Sequence, residues 1–440
     1  MPESGSATLI RAIGRWSMAA LVINSSIGSG VFGLPADLAR LLGPASPYAV
    51  LLAGAAMGVI IACFAEVSSR FTQTGGPYLY SRVAFGRLFG IEMGWMLWLV
   101  RLTAPAANAN LFVVYLREFW PRAMNPVPRF CVLTFLIGIL AFANFRGVRA
   151  GAKMSNIFTV AKLVPLLLVA LVGAVYVFHT HQISNAMTLA AGSHEWLKAI
   201  LILGFAYGGF EGALTPVSEA TNPRRDTAFG LFVALITCTA LYTVIQWVVI
   251  KSLPDAAHAE RPLAEVARLV IGNPGAGLIA VGALVSIYGY LSANMLAVPR
   301  LTFALAEQHD FPSIFAALHP RFRTPYFSIL VFAALVWLFA LVGNFSWNVT
   351  LSAAARLFCY AAGCAALPVL RRQQQGGASF HLPGGSFLAL IGVMVCLVLI
   401  TQIDLRKSLT LVAVIVIACA NWAIVRNHKS RKAVSGVPVE

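Results

Sequence analysis

Long apolar stretches constrain the fold of this chain more than any other feature of its sequence. The clearest cover residues 49–64, 132–144, 158–178, 229–250, 329–342 and 388–400. They reach roughly 20 residues, the length of helix that crosses a hydrocarbon core about 30 Å thick. Only helices and closed barrels satisfy every backbone polar group in lipid. Because the stretches are continuous and not alternating, the sequence predicts an all-α integral membrane protein.

Charge and composition agree with a membrane protein and argue against a nucleic-acid-binding one. Hydrophobic residues make up 59% of the 440-residue chain, charged residues make up 11%, and the net charge is +16. The positive residues flank the apolar stretches and form no single basic face, so they indicate membrane topology. The seven cysteines are scattered singly through apolar segments. We therefore expect no disulfide framework, no metal site and no cofactor.

The apolar stretches divide into about twelve predicted spans. They cover residues 16–39, 46–68, 88–116, 128–146, 156–178, 195–217, 228–250, 271–305, 325–343, 349–370, 385–402 and 408–426. The connections alternate in positive charge, and the richer set includes those at Arg70, Arg146 and Arg224. The positive-inside rule therefore predicts a multi-pass protein of the bacterial cytoplasmic membrane with both termini in the cytoplasm.

Two of the predicted spans contain segments that weaken helical order. Span 1 contains Asn24-Ser-Ser-Ile-Gly-Ser-Gly30, and span 6 contains Gly204-Phe-Ala-Tyr-Gly-Gly-Phe-Glu-Gly212. Small residues also line many helix contacts in membranes, which is the alternative explanation. However, the two segments open two five-helix halves. Interrupted segments at matching places in two halves are typical of a transporter binding site.

A break in a helix creates two partly charged ends. Backbone N–H groups at the start of one half-helix attract an anion, and carbonyl groups at the end of the other half-helix attract a cation. A zwitterionic amino acid has matching ends. We expect its carboxylate near Ser29 and Gly30 and its ammonium near the carbonyls of Ser26 and Phe205.

Ionisable residues inside the spans are candidates for function. Lys162 in span 5 either snorkels to the surface or places its ammonium where a transporter might hold a sodium ion, and we favour the second. Glu211 is either a proton-titrating gate or a structural acceptor for backbone N–H groups. Arg101 and Arg356 receive no role beyond pairing with a carboxylate or a carbonyl. Glu66 is expected to be structural, and Glu219, after span 6, an interfacial contact.

The sequence resembles the amino acid–polyamine–organocation superfamily through nearly its whole length. The motifs that carry the resemblance are Ile27-Gly-Ser-Gly-Val-Phe32, Ala65-Glu66, Thr74-Gly-Gly-Pro-Tyr78, Phe85-Gly86, Phe210-Glu211, Asn222-Pro-Arg224 and Arg323-Thr-Pro325. The resemblance implies the LeuT-type fold, with two inverted five-helix repeats, broken helices 1 and 6, and two extra helices. The implied segments are a cytoplasmic stretch 1–15, the repeats 16–178 and 195–370, helices 11 and 12 at 385–426, and a cytoplasmic tail 427–440.

Within the superfamily, residues 158–173 look most like bacterial relatives of the light-chain L-type transporters, in which a lysine like Lys162 occupies a sodium site. Glu211 is more like the acid of a proton-sensitive gate in arginine/agmatine antiporters. A pocket tryptophan of those antiporters matches Asn294 here, so a long cationic substrate is doubtful. The implied substrate-binding residues are Ser26, Ile27, Gly28, Ser29, Gly30, Phe205, Gly208 and Asn294, with Lys162, Glu211 and Phe205 in coupling or gating.

These observations predict sodium-independent transport of neutral amino acids, by exchange or by proton coupling. The neutral preference follows because only Glu211 would suit a cationic side chain, and only Lys162 an acidic one. Alternatives are a transporter of cationic amino acids or polyamines, and a sensor that binds without net transport. An enzyme is not expected, because no span carries the spacing of a metal or paired-acid site. We expect no obligatory partner chain, and a monomer or homodimer within the lipid bilayer.

Overall fold

The computed structural model describes residues 14–71, 75–147, 152–180, 191–214, 222–308, 310–373 and 380–434. These ranges contain helices and no β-strand. The α-helices are α1 (Arg15–Ser26), α2 (Gly30–Leu42), α3 (Ser46–Ser69), α4 (Gly76–Phe85), α5 (Arg87–Leu116), α6 (Pro126–Phe145), α7 (Ala152–Thr180), α8 (Ser193–Tyr207), α9 (Phe210–Ala213), α10 (Pro223–Ser252), α11 (Pro262–Ile271), α12 (Asn273–Glu307), α13 (Tyr326–Val342), α14 (Phe345–Arg372), α15 (Gly385–Ile400) and α16 (Leu405–Val434).

The helices reproduce the predicted spans with ends that differ by a few residues. Helices α1 and α2 together form span 1, and α8 and α9 together form span 6. Within the described ranges, eight helical stretches are long and apolar enough to cross a membrane, and α13 and α15 are shorter apolar helices. The protein is therefore an all-α, multi-pass membrane protein with about twelve membrane helices, as predicted, when each broken helix is counted once and α4 and α11 are left out. The division into two inverted repeats stays a prediction.

Two short helices were not predicted, because each lies in a connection and is too short to cross a membrane. Helix α4 lies between spans 2 and 3, and α11 lies between spans 7 and 8. Helix α11 buries one apolar face that includes Leu263 and Val266. Arg268 on the same helix pairs with Glu118, just beyond the end of α5. This ion pair fixes α11 against the end of span 3.

Buried carboxylates anchor the predicted cytoplasmic ends of the spans. Asp310 accepts hydrogen bonds from Arg82 Nη1 at 2.7 Å and Arg87 Nε at 2.9 Å, and it also contacts the Tyr78 hydroxyl. Burial and the nearby Asp310 carboxylate raise the pKa of Tyr78 to about 12, so its hydroxyl stays protonated at neutral pH. Glu66 is fully buried between Arg70 and Arg371. Its contacts agree with the structural role predicted for it.

The cysteines are all free thiols in the structure. Five are buried, as expected of small packing residues, but Cys131 and Cys419 are exposed. Both lie inside spans, on α6 and α16. Glu219 and residues 1–13 and 435–440 fall outside the described residues.

Candidate functional site

The first break lies between α1 and α2. Ile27 adopts an extended backbone after its N–H donates to the Ile23 carbonyl at 2.8 Å. Helix α2 restarts at Gly30, and the Ser29 carbonyl accepts hydrogen bonds from Phe32 and Gly33. The first N–H groups of a helix have no partner within the helix, so those that precede Phe32 remain available for an anion. The hydroxyl of Ser29 is also buried, with no hydrogen-bond partner among the described residues.

The second break lies between α8 and α9. Gly208 is extended, with φ −71° and ψ 167°, and Gly209 has φ 109°. This value of φ lies in a region that side chains rarely adopt, so the chain needs glycine here. Glycine is also required by space, since a Cβ on Gly209 would lie 2.2 Å from the Ser25 carbonyl oxygen.

The two breaks contact each other through their backbones. Besides the approach of Gly209 to Ser25, a Cβ on Gly30 would lie 2.9 Å from the Cα of Ala206. The predicted residues Ser26, Ile27, Gly28, Ser29, Gly30, Phe205 and Gly208 therefore fall in or next to one pair of crossing segments. Two carbonyl-bearing helix ends and two amide-bearing helix starts meet there, which is the arrangement that binds opposite charges without formal charge on the protein.

Tyr242 on α10 joins the carbonyl ends of both half-helices. Its buried hydroxyl lies 3.3 Å from the Ser26 carbonyl oxygen and 3.2 Å from the Ala206 carbonyl oxygen. The sequence analysis missed this residue. A signal was present, because Cys238, Tyr242 and Gln246 place side chains with polar atoms one helical turn apart inside an apolar span.

Glu211 is engaged by three donors. Arg356 Nη1 donates to Oε1 at 2.6 Å, and the Gly209 N–H and the Tyr360 hydroxyl donate to Oε2 at 2.8 and 3.2 Å. The glutamate therefore acts as an acceptor for a backbone N–H of the break, which is one of the two roles predicted for it. Arg356 pairs with a carboxylate, as anticipated.

Lys162 on α7 points into the bundle and is 7% exposed. Its ammonium donates to the backbone carbonyl of Asn24 at 2.8 Å and to the Asn24 side-chain oxygen at 2.9 Å. The position excludes snorkelling, because the ammonium lies against α1 and not at a membrane surface. Lys162 thus supports the last turn of α1 before the first break.

Aromatic side chains cover the breaks on the side of α14. Phe205 is 7% exposed, and its ring lies 6.5 Å from that of Phe345. Phe345 also packs so closely on α2 that a Cβ on Gly33 would lie 2.4 Å from its ring. Next to it, Ser346 Oγ donates to Asp37 at 2.7 Å. These contacts close the predicted extracellular side of the breaks, and neither Phe345 nor Asp37 was singled out in the sequence.

Asn294 is buried on α12, and its side-chain amide donates to the Tyr290 carbonyl one turn earlier, at 2.9 Å. Its contact with a substrate stays a prediction. A small cavity lies next to the breaks and is lined by Gly30, Val31, Leu34, Pro35, Leu38, Val50, Leu203, Ala206, Tyr242, Ile245 and Gln246. No cluster of metal-ligating side chains occurs within the described ranges.

Comparison with known proteins identifies the family. The family model described as amino acid permease matches residues 13–420. The chain belongs to the amino acid permease family. This match confirms the predicted membership of the amino acid–polyamine–organocation superfamily, and it makes amino acid transport across a membrane the function of the family.

Individual relatives of this permease differ in what their names say they carry. It is 29% identical over 342 residues to the methylthioribose transporter of Bacillus subtilis, covering 74% of this chain and 73% of that protein. It is 26% identical over 439 residues to the serine/threonine exchanger SteT of Bacillus subtilis, covering 97% of this chain and 98% of that protein. It is 29% identical over 361 residues to the arginine/agmatine antiporter of Chlamydia abortus, covering 77% of this chain and 74% of that protein. Similarity alone therefore leaves the substrate open.

Proposed function

We propose that this permease carries neutral amino acids across the cytoplasmic membrane by sodium-independent secondary transport, with alternating access and both termini in the cytoplasm. The observation that carries the proposal is the backbone-to-backbone crossing of the two helix breaks at Ser25–Gly209 and Gly30–Ala206. The crossing offers amide ends to a carboxylate and carbonyl ends to an ammonium, so it suits the main chain that all amino acids share.

The surroundings of Glu211 disfavour the cationic alternative. A cationic side chain would need a free carboxylate, and both oxygens of Glu211 already accept hydrogen bonds, one of them from Arg356 at 2.6 Å. Bringing a second cation to a carboxylate that is already paired gains little attraction and adds repulsion from the arginine. The similarity to SteT, whose name gives serine and threonine, agrees with the neutral preference.

The contacts of Lys162 support independence from sodium. A sodium ion binds oxygen ligands, and the Asn24 backbone and side-chain oxygens beside the first break are already bonded to the Lys162 ammonium. A fixed positive charge at this place both occupies the oxygens and repels a second cation. We further propose that the permease needs no partner chain, works as a monomer or homodimer, and catalyses no chemical reaction.

Uptake of labelled amino acids into proteoliposomes in sodium-free buffer tests the proposal. We expect saturable uptake of neutral amino acids, unchanged when sodium is added. Uptake that requires internal amino acid and ignores a proton gradient would establish exchange, and uptake into empty vesicles driven by the gradient would establish proton coupling. Binding without flux of any amino acid would support the sensor alternative and overturn the proposal.

The cationic alternative has its own test. If Glu211 were the counter-charge, Glu211→Gln would abolish uptake of arginine while sparing that of neutral amino acids. We expect instead that unlabelled arginine does not compete with neutral uptake in the wild-type protein. Competition by arginine that disappears in the Glu211→Gln variant would establish the alternative.

A further inference from the structure

Among the residues that the structure describes, the charges beside the second break do not balance. Two cations, Arg101 and Arg356, and one anion, Glu211, lie around α9 in these ranges, which leaves one positive charge in excess. Arg356 is bonded to Glu211 at 2.6 Å. Arg101 lies within electrostatic reach of Glu211, but it has no hydrogen bond or ion pair with any residue that the structure describes. The neutral preference inferred from the sequence took only Lys162 into account as a cation, so it overlooked this group.

Arg101 faces the interior of the bundle. Its Nη2 atom would lie 2.9 Å from a Cβ on Gly212 of α9, and it is within electrostatic reach of Tyr290 on α12. The flanking residues Val100 and Leu102 are 1% and 2% exposed, while Arg101 itself is half-buried. Its guanidinium therefore lies between α5, α9 and α12.

The depth of Arg101 rules out an explanation by the membrane surface. The residue lies near the middle of the 30-residue helix α5, about 20 Å from either end at 1.5 Å per residue. This distance is too long for an arginine side chain to place its guanidinium among lipid headgroups. An ionisable group at such a depth is costly, and it usually belongs to a path for a ligand or ion.

We propose that Arg101 forms a subsite for the anionic side chain of an amino acid, so that the permease accepts acidic amino acids as well as neutral ones. The inference rests on the proposed function, in which the two breaks hold the main chain. Gly30, which begins α2, and Gly212, which packs on Arg101, belong to half-helices that run to opposite sides of the breaks. The α-carboxylate and the side-chain carboxylate of one substrate therefore have separate partners. A guanidinium binds a carboxylate through two parallel hydrogen bonds, which a neutral amide of the same shape reproduces poorly.

Competition by two isosteric pairs tests the subsite. Uptake of a labelled neutral amino acid is measured in the presence of unlabelled glutamate or glutamine, and of aspartate or asparagine. We expect glutamate or aspartate to compete in the wild-type protein. In Arg101→Gln the inhibition constant of that acid rises about ten- to hundredfold, while those of neutral competitors change by less than about threefold. Arg117→Gln is the matched control, because it removes the same charge from the surface end of α5, where Arg117 pairs with Glu260.

Three outcomes would overturn the proposal. The first is that neither glutamate nor aspartate competes in the wild type. The second is that these acids compete as strongly in Arg101→Gln as in the wild type. The third is that Arg117→Gln weakens competition by the acids as much as Arg101→Gln does. If Arg101→Gln does not fold, Arg101→Lys serves instead, since it keeps the charge but loses the planar fork.

If the wild type transports no amino acid, the proposed function fails. The subsite is then judged by thermal unfolding of the purified protein. Glutamate that raises the melting temperature more than glutamine, with the difference lost in the Arg101 variant, would still support it, and equal effects would not.

Discussion

The two helix breaks have similar backbones but different electrostatic surroundings. The first, at Ile27–Ser29, contains uncharged groups, and Lys162 is bonded to Asn24 outside the break. The second, at Gly208–Gly209, is bordered by Glu211, Arg356 and Arg101. The comparison suggests a division of work, in which the crossing backbones bind the part common to all amino acids and the charges beside the second break respond to the side chain.

Substitution at the second break is expected to have the largest effect. In Gly209→Ala the new Cβ would meet the Ser25 carbonyl oxygen, and alanine disfavours φ 109°. Such strain costs about 1–3 kcal/mol before the clash is counted, so we expect uptake in proteoliposomes to fall at least about a hundredfold. Gly204→Ala on α8 is the matched control, because a Cβ there meets nothing within 4 Å. Equal uptake by both variants would show that the crossing is not required.

Breaking the ion pair beside the second break is expected to have the second-largest effect. Glu211→Gln leaves the buried Arg356 without its carboxylate, and loss of one partner from a buried pair destabilises a protein by about 3–5 kcal/mol. We expect a clear drop in the thermal midpoint in detergent. Combining it with Arg356→Gln should recover part of that loss, because the unpaired charge is removed. A double variant that is less stable than either single one would contradict this account.

Removal of the cation near the first break should have a smaller effect. Lys162→Met deletes two hydrogen bonds to Asn24, and a hydrogen bond of a charged group contributes about 1.5–3 kcal/mol. We expect uptake to fall about tenfold through a poorly positioned α1. Lys251→Met, at the end of α10, provides the comparison and should retain its uptake. Unchanged uptake in Lys162→Met would show that the first break does not depend on this contact.

The smallest expected effect concerns the tyrosine that joins the two breaks. Tyr242→Phe removes one hydroxyl shared by the Ser26 and Ala206 carbonyls, a loss of about 0.5–1.5 kcal/mol. Uptake should fall about three- to tenfold, while Tyr48→Phe, whose ring is 64% exposed, should behave as wild type. A Tyr242→Phe variant with full activity would indicate that the two carbonyl ends are held together by the glycine contacts alone.

The sequence alone was sufficient to predict the spans and the two breaks, because apolar length and clusters of glycine are local properties of the chain. It was not sufficient for contacts between distant segments. The pairing of Glu211 with Arg356 joins residues 145 positions apart, and Tyr242 reaches Ser26 across 216 positions. Nor did composition reveal that Arg101 has no hydrogen-bond partner within the described part of the chain, since this depends on which helices pack around it. Helices α4 and α11 were missed because short amphipathic helices in connections lack the apolar length of a span.

The most direct test of the central claim asks whether the crossing breaks recognise the main chain of the substrate. For the amino acid that is taken up best, competition is measured with the amino acid itself, its decarboxylated amine and its deaminated acid. The account predicts that both analogues compete at least about a hundredfold more weakly, because each leaves one pair of helix ends without its charged partner. Competition by either analogue as strong as that of the amino acid would contradict the claim that these backbone ends hold the substrate.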